Sequence, residues 1–204
     1  MYGLGYMFYY VTNHYPYFHQ HYLPLTWVDR NVPFLPYSVY IYISEYFYFA
    51  FVYILLNNYN NVNRYLYSFF GLQIVSCLIF AIFPTVYPRQ NFPIDPDLPI
   101  WLQATWTWLR HVDAPGNCFP SLHVSSVYLS AFVFWTDGQK KKFWIFFAWS
   151  TTIALSTLTT KQHYLADIVS GLSLALAFFY WFHFKQKYQR IYGVHSEVPT
   201  SQMR

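Results

Sequence analysis

The sequence predicts an all-α fold, a polytopic membrane helix bundle of about six transmembrane helices whose first is short or truncated. Three observations carry this. Of the 204 residues 55% are hydrophobic and 25% aromatic, and at 10% the charged residues are too few to coat a soluble domain. Five apolar stretches approach the roughly 20 residues that a helix needs to cross a bilayer. Most of these stretches end at prolines, asparagines or charges, the groups that stop a helix. The net charge of +4 is too small to imply a nucleic-acid partner. Two cysteines, Cys77 and Cys118, are too few for a disulfide framework. No repeat divides the chain, so residues 1–204 read as a single domain that ends in a polar cytoplasmic tail over 186–204.

In chain order, Met1 to Val11 is apolar and aromatic but only about half a span long. Either the true start lies upstream or the segment is a partial helix packed on the others. The spans follow at Ser38 to Leu56, Tyr65 to Tyr87, Pro120 to Trp135, Phe143 to Thr160 and Ala166 to Phe184. Asn57, Asn58, Asn60 and Asn61 follow the first, Pro84 and Pro88 close the second, and Asp137, Gly138 and Lys140 to Lys142 close the third. The region Tyr87 to Phe119 reads as an outer loop. Its Trp101, Trp106 and Trp108 suit an interfacial belt or a core filling equally.

Lys and Arg are retained on the cytoplasmic side of short loops. Counting crossings puts Arg64, Lys140, Lys141, Lys142, Lys185, Lys187, Arg190 and Arg204 on one face, against Arg30, Arg89, Arg110 and Lys161 on the other. The first face is therefore assigned to the cytoplasm, and Lys140 to Lys142 to anionic lipid.

Three chemically loaded segments then reach the outer face: Pro84 to Arg89, Asn117 to His123, and Ser156 to Asp167. Pro120 suits the first position of a helix, whose unpaired N–H groups attract anions. Ser121 adds a hydroxyl donor there, and His123 an imidazole able to protonate a leaving oxygen. His163 and Asp167 stand four apart, which places them on one helical face. Such a pair is either a structural hydrogen bond or a nucleophile whose tautomer the carboxylate fixes. Arg89 and Lys161 supply positive charge for an anionic substrate. Polar groups at this depth are costly and usually functional. Glu45 in mid-span belongs to the same class, with a neutral carboxyl facing a tyrosine as the plain alternative. Arg110, His111 and Asp113 are candidates to shape the entrance. Asn13, His14, His19 and His21 read as an interfacial loop and not as a metal site.

Pro120-Ser121-Leu122-His123 resembles the Pro-Ser-x-His motif of the type 2 phosphatidic acid phosphatase superfamily, the membrane relatives of vanadium haloperoxidases. Ser156 through Asp167 partly matches the family's Ser-Arg-x5-His-x3-Asp motif. The wording around Asp113 to His123 and Lys161 to Asp167 looks most like the branch of inositol phosphorylceramide and sphingomyelin synthases. From Leu23 onward the chain fits the family's six-helix plan. Thr157 stands in place of the family's arginine, with Lys161 as the substitute charge, and the Lys-x6-Arg-Pro motif is reduced to Arg89.

The resemblance implies phosphoryl transfer on a lipid phosphate without metal or cofactor. His163 is the nucleophile, Asp167 orients it, and His123 is the acid and then the base, while Arg89, Ser121 and Lys161 hold the phosphate. Water as acceptor makes the chain a lipid phosphate phosphatase, the preferred expectation; an alcohol makes it a headgroup phosphotransferase. A non-catalytic bundle or transporter is the remaining alternative. The expected place is a bacterial inner membrane with the site facing the periplasm.

Overall fold

A computed structural model describes residues 2–56 and 59–185. The expected tail over 186–204 lies outside the described residues, as do Asn57 and Asn58. Among the described residues there are nine α-helices and no strand. They are α1 (Tyr2–His14), α2 (Trp27–Asn31), α3 (Val39–Ile43), α4 (Glu45–Leu55), α5 (Tyr59–Ile82), α6 (Ile100–Val112), α7 (Leu122–Thr136), α8 (Lys140–Thr159) and α9 (Leu165–Phe179). A 3₁₀ turn at Pro36–Ser38 leads into α3, and a π-helical turn at Tyr180–Lys185 extends α9.

Three of the expected spans are long and apolar enough to cross a membrane: Pro36–Leu55, Tyr59–Ile82 and Leu165–His183. Leu122–Thr136 is apolar but shorter. Helix α8 fills the remaining stretch, with Lys140 to Lys142 at its start and hydroxyl residues along its length. The second span begins earlier and ends earlier than its apolar run suggests, because Pro84 stops the helix short of Tyr87. Of the segment Met1 to Val11, Met1 lies outside the described residues and the rest belongs to α1, a partial helix packed on α5.

Helix α7 is the axis of the bundle. It packs on α4, α5, α8 and α9, and every residue from Val124 to Phe134 is buried. A helix apolar all round belongs inside, and its serines let neighbours approach closely. The Tyr48 hydroxyl reaches the Val127 carbonyl at 2.8 Å, and Tyr65 meets the Ser130 hydroxyl at 2.7 Å.

At one end the C-terminus of α4, the N-terminus of α5, the C-terminus of α7 and the N-terminus of α8 come together. There Asn61 donates to Asp137 at 2.8 Å, and the Lys142 ammonium donates to the Leu55 carbonyl. The expected grouping of these polar segments on one face thus holds in the coordinates. At 15 residues α7 is only about 22 Å long, less than the roughly 30 Å hydrocarbon thickness. Its far end carries His123.

The outer region departs from the expected loop. Helix α6 buries Leu102, Trp106 and Leu109 against Val39 and Tyr42. Trp106 is fully buried and donates its indole N–H to the Pro36 carbonyl at 3.0 Å, so it is core and not belt. Trp101 and Trp108 are exposed, as an interfacial position requires.

Helix α9 approaches the start of α7 at Gly171. A Cβ there would stand 2.6 Å from the Ser121 carbonyl oxygen and 3.2 Å from the Val124 Cβ, both parts of a rigid helix start. Gly171→Ala should cost about 1–3 kcal/mol by overpacking and lower the melting temperature in detergent. An unchanged melting temperature would show that α9 slides freely.

Candidate active site

The nucleophile candidate lies in the turn between α8 and α9. His163 precedes α9 instead of sharing its face with Asp167, yet the two still meet because Asp167, in the first turn, points back. Its Oδ2 accepts from the Tyr164 backbone N–H at 2.9 Å and stands 3.2 Å from His163 Nδ1. Nδ1 is also 3.1 Å from the Cys118 carbonyl. Both partners of Nδ1 are acceptors, so this nitrogen carries the proton and Nε2 keeps its lone pair. Behind the Cys118 carbonyl, Tyr87 and Tyr164 pack with Cys118 in a buried cluster, their rings 4.6 Å apart.

His123 sits in the first turn of α7, and its ring centre is 5.6 Å from that of His163, with the planes inclined at 58°. One phosphate can therefore meet an edge of each ring. Helix α7 starts at Leu122, after a cis Phe119–Pro120 peptide, with Ser121 as its N-cap. The Ser121 Oγ accepts from the Val124 N–H at 3.3 Å, so its oxygen caps the helix while its own hydrogen remains available. Pro120 lies just outside the helix rather than at its first position.

His123 Nε2 meets two groups that the motifs do not show. The Tyr42 hydroxyl lies at 2.6 Å and the Glu45 Oε1 at 3.3 Å. Glu45 thus faces a histidine, not a tyrosine of a neighbouring helix. Tyr42 and Glu45 stand three apart on the Pro36–Leu55 span, a spacing that puts both on one face.

Arg89 is buried beside this group and gripped by Asp113. Its Nη2 donates to Asp113 Oδ2 at 3.1 Å and its Nη1 donates to the Asp113 carbonyl. The same carboxylate accepts from Tyr9 at 2.6 Å and from Tyr42 at 3.3 Å. Burial alone would raise the Asp113 carboxyl, but Arg89, His123 and the Tyr9 hydroxyl outweigh it and hold it below the usual carboxylate range. Of the three entrance candidates Asp113 is part of the site. Arg110 instead donates to the Phe92 carbonyl at 2.6 Å, and the His111 carbonyl lies 3.4 Å from His14.

Lys161 is placed differently from its expected role. In a left-handed turn (φ 54°), its ammonium donates to the carbonyls of Asp29 at 2.9 Å and Val32 at 2.6 Å and lies over the Phe92 ring. It ties the histidine turn to α2 and is spent on carbonyls. Asp29 completes this bracket by accepting from the Leu165 N–H at 2.8 Å. The N-terminal segment has a comparable task. Asn13 is buried and exchanges hydrogen bonds with Ala114 and Gly116, and Asn117 donates to Thr12, so α1 fixes the segment that leads from Asp113 to His123. Asn13 therefore belongs to a structural clasp and not to an interfacial loop.

Cys118, His163 and Asp167 place one potential ligand atom each within 4.8 Å of one another. Burial, with Asp167 nearby, pushes the Cys118 thiol well above its usual value, and it donates to the Pro115 carbonyl at 3.2 Å. That favours a thiol over the thiolate that a metal takes.

Behind His123 a cavity of about 560 Å³ opens among α1, α4, α5, α6 and α7. Glu45, Asp113 and His123 line its polar part, and Phe49, Tyr53 and Phe69 its apolar part.

Residues 16–181 match the family model of the PAP2 superfamily. No curated protein and no solved structure matches the chain.

Asp113 titrates from a lowered value when folded and from about 3.9 when unfolded. Its stabilisation is complete above about pH 4 and fades as the pH falls through the folded value. Asp113→Asn should lower the melting temperature near neutrality, because it leaves Arg89 unpaired. The gap to the wild type should hold from pH 6 to about pH 4 and narrow below it; a gap that stays constant on further acidification would mean that the ion pair is not formed.

Proposed function

Because this chain belongs to the PAP2 superfamily, a group of phosphatase- and phosphotransferase-type lipid enzymes, we propose that it hydrolyses a membrane lipid phosphate through a phosphohistidine. The observation that carries this reading is the histidine pair, with centres 5.6 Å apart and a free Nε2 on His163. His163 Nε2 forms a bond to phosphorus as the P–O bond to the lipid breaks, and His123 gives its proton to the departing oxygen. The Tyr42 hydroxyl and Glu45 Oε1, at 2.6 and 3.3 Å from its Nε2, hold that ring in place. In the second step His123 takes a proton from water, the oxygen attacks phosphorus, and the P–N bond breaks to release inorganic phosphate. Asp167 holds the His163 tautomer throughout.

Charge on the transferring phosphoryl group spreads over its equatorial oxygens. Arg89, the Ser121 hydroxyl and the free N–H groups at the start of α7 are the donors assigned to it, and Lys161 acts through the turn that it pins. Phosphate entry takes the Arg89 guanidinium over, in whole or part, from Asp113. Losing one such donor costs on the order of 2.7–4 kcal/mol of barrier. The distribution of Lys and Arg supports a site on the exoplasmic side; the protein's small size favours a bacterial inner membrane with the site toward the periplasm, and a lumen-facing endomembrane fits the same distribution.

A phosphotransferase is the second reading, and the cavity behind His123 favours it, since that space suits an alcohol acceptor. The discriminating assay supplies lipid phosphates to purified protein with and without a lipid alcohol acceptor. Phosphate release is expected to exceed transfer, to fall at least a hundredfold in Arg89→Ala, and to vanish in His163→Ala and with vanadate. Full activity in His163→Ala would remove the nucleophile, and headgroup transfer above phosphate release would install the second reading. With intact cells the phosphate should appear in the external medium; internal release would reverse the orientation.

A further inference from the structure

Asp113 takes both terminal nitrogens of the buried Arg89 guanidinium: Nη1 donates to its carbonyl, and Nη2 donates to its Oδ2 at 3.1 Å. The third nitrogen, Nε, is buried and has no hydrogen-bond partner among the described residues. Nε–H and the second Nη2 hydrogen form the other two-pronged edge of a guanidinium, and that edge suits a phosphate. An anion arriving there meets a cation that Asp113 already neutralises in part.

Asp113 does not depend on Arg89 alone. The Tyr9 hydroxyl donates to its Oδ1 at 2.6 Å, the shortest contact to this carboxylate, and Tyr42 lies 3.3 Å from its Oδ2. The Tyr42 hydroxyl has one hydrogen and stands 2.6 Å from His123 Nε2 as well, so it is not a dedicated donor to Asp113. A buried carboxylate whose cation is drawn away needs other donors or is left unpaired at high cost. Tyr9 is placed to meet that need.

Tyr9 comes from α1 and lies outside the residues 16–181 that match the family model. Its position is nonetheless fixed. Helix α1 packs on α5, the Tyr9 ring meets Phe80 edge-on with centres 6.3 Å apart, and Asn13 bonds Ala114 and Gly116.

We propose that Asp113 is a built-in anionic competitor for Arg89, which keeps the affinity for inorganic phosphate low enough for product to leave, and that Tyr9 is the positioning residue that sets how hard it competes. This rests on the reading that Arg89 holds the phosphate, and adds how that hold is regulated. While phosphate draws on Arg89, the Tyr9 hydroxyl keeps the Asp113 carboxylate hydrogen-bonded. Without that hydroxyl the carboxylate clings to the guanidinium and binds it against the phosphate. Helix α1 thereby tunes product release without touching the reacting atoms.

The test is binding of inorganic phosphate to the full chain in detergent near neutral pH, followed by the rise in melting temperature with phosphate concentration. Asp113→Asn keeps an oxygen for Arg89 and removes the charge; it should bind phosphate about tenfold more tightly than the wild type. Tyr9→Phe should bind about fivefold more weakly. The double variant should bind as tightly as Asp113→Asn, because Tyr9 acts through the carboxylate. Weakening by Tyr9→Phe in both backgrounds would reduce Tyr9 to a structural part and overturn its role. Unchanged or weaker binding in Asp113→Asn would overturn the competitor. If Asp113→Asn does not fold, Tyr9→Phe decides alone, and wild-type or tighter binding there would overturn the proposal. Arg89→Ala tests the premise separately: undiminished phosphate binding would take Arg89 out of the phosphate site, whereas binding lost there but unchanged in Asp113→Asn would sink the competitor alone.

Discussion

The backbone N–H of Ser121 reaches the Asp167 carbonyl at 3.1 Å, and the Cys118 carbonyl reaches His163 Nδ1 at a similar distance. These contacts seat the start of α7 against the start of α9, and the histidine pair depends on that seating. Gly171 lets the helices come that close. The Asp167 side chain then faces both the Tyr164 N–H and the His163 ring, so one carboxylate caps a helix and fixes a tautomer. Around this joint lie two clasps from distant parts of the chain. Helix α2 holds the histidine turn through Asp29 and Lys161, and α1 holds the approach to His123 through Tyr9 and Asn13.

The shortness of α7 gives the joint its setting. At about 22 Å it is shorter than the hydrocarbon layer is thick, and the ionisable groups of the site gather at its start, most of them buried. Buried ionisable groups need partners. Arg89 is matched by Asp113, Glu45 by His123, and Asp167 by His163. In the proposed reaction the phosphate would replace one anionic partner of Arg89 with another, which limits the desolvation to be offset.

The meeting of a few short local patterns was legible in the sequence. Pro120 to His123, and His163 with Asp167, declare themselves by spacing, and the apolar runs locate the helices that bring them to one end. Direction was not legible. Lys161 is two residues from His163, but a left-handed turn aims its ammonium at α2. Nothing local foretold that Asp113 would clasp Arg89 or that Glu45 and Tyr42 would face His123, since those contacts join positions far apart in the chain. Helix α6 did have a signal, the 3.6-residue period of Leu102, Trp106 and Leu109. Its tryptophans hid it, because they suit a belt as well as a core.

The central claim is that His163 Nε2 forms a covalent bond to phosphorus, and it is tested most directly by trapping that bond. Purified protein is mixed with a lipid phosphate labelled at phosphorus, quenched in denaturing alkali within the first turnover, and digested for mapping. The account predicts an acid-labile, alkali-stable label on the peptide containing His163 and nowhere else. Turnover without that label, or a label on another residue, would contradict it.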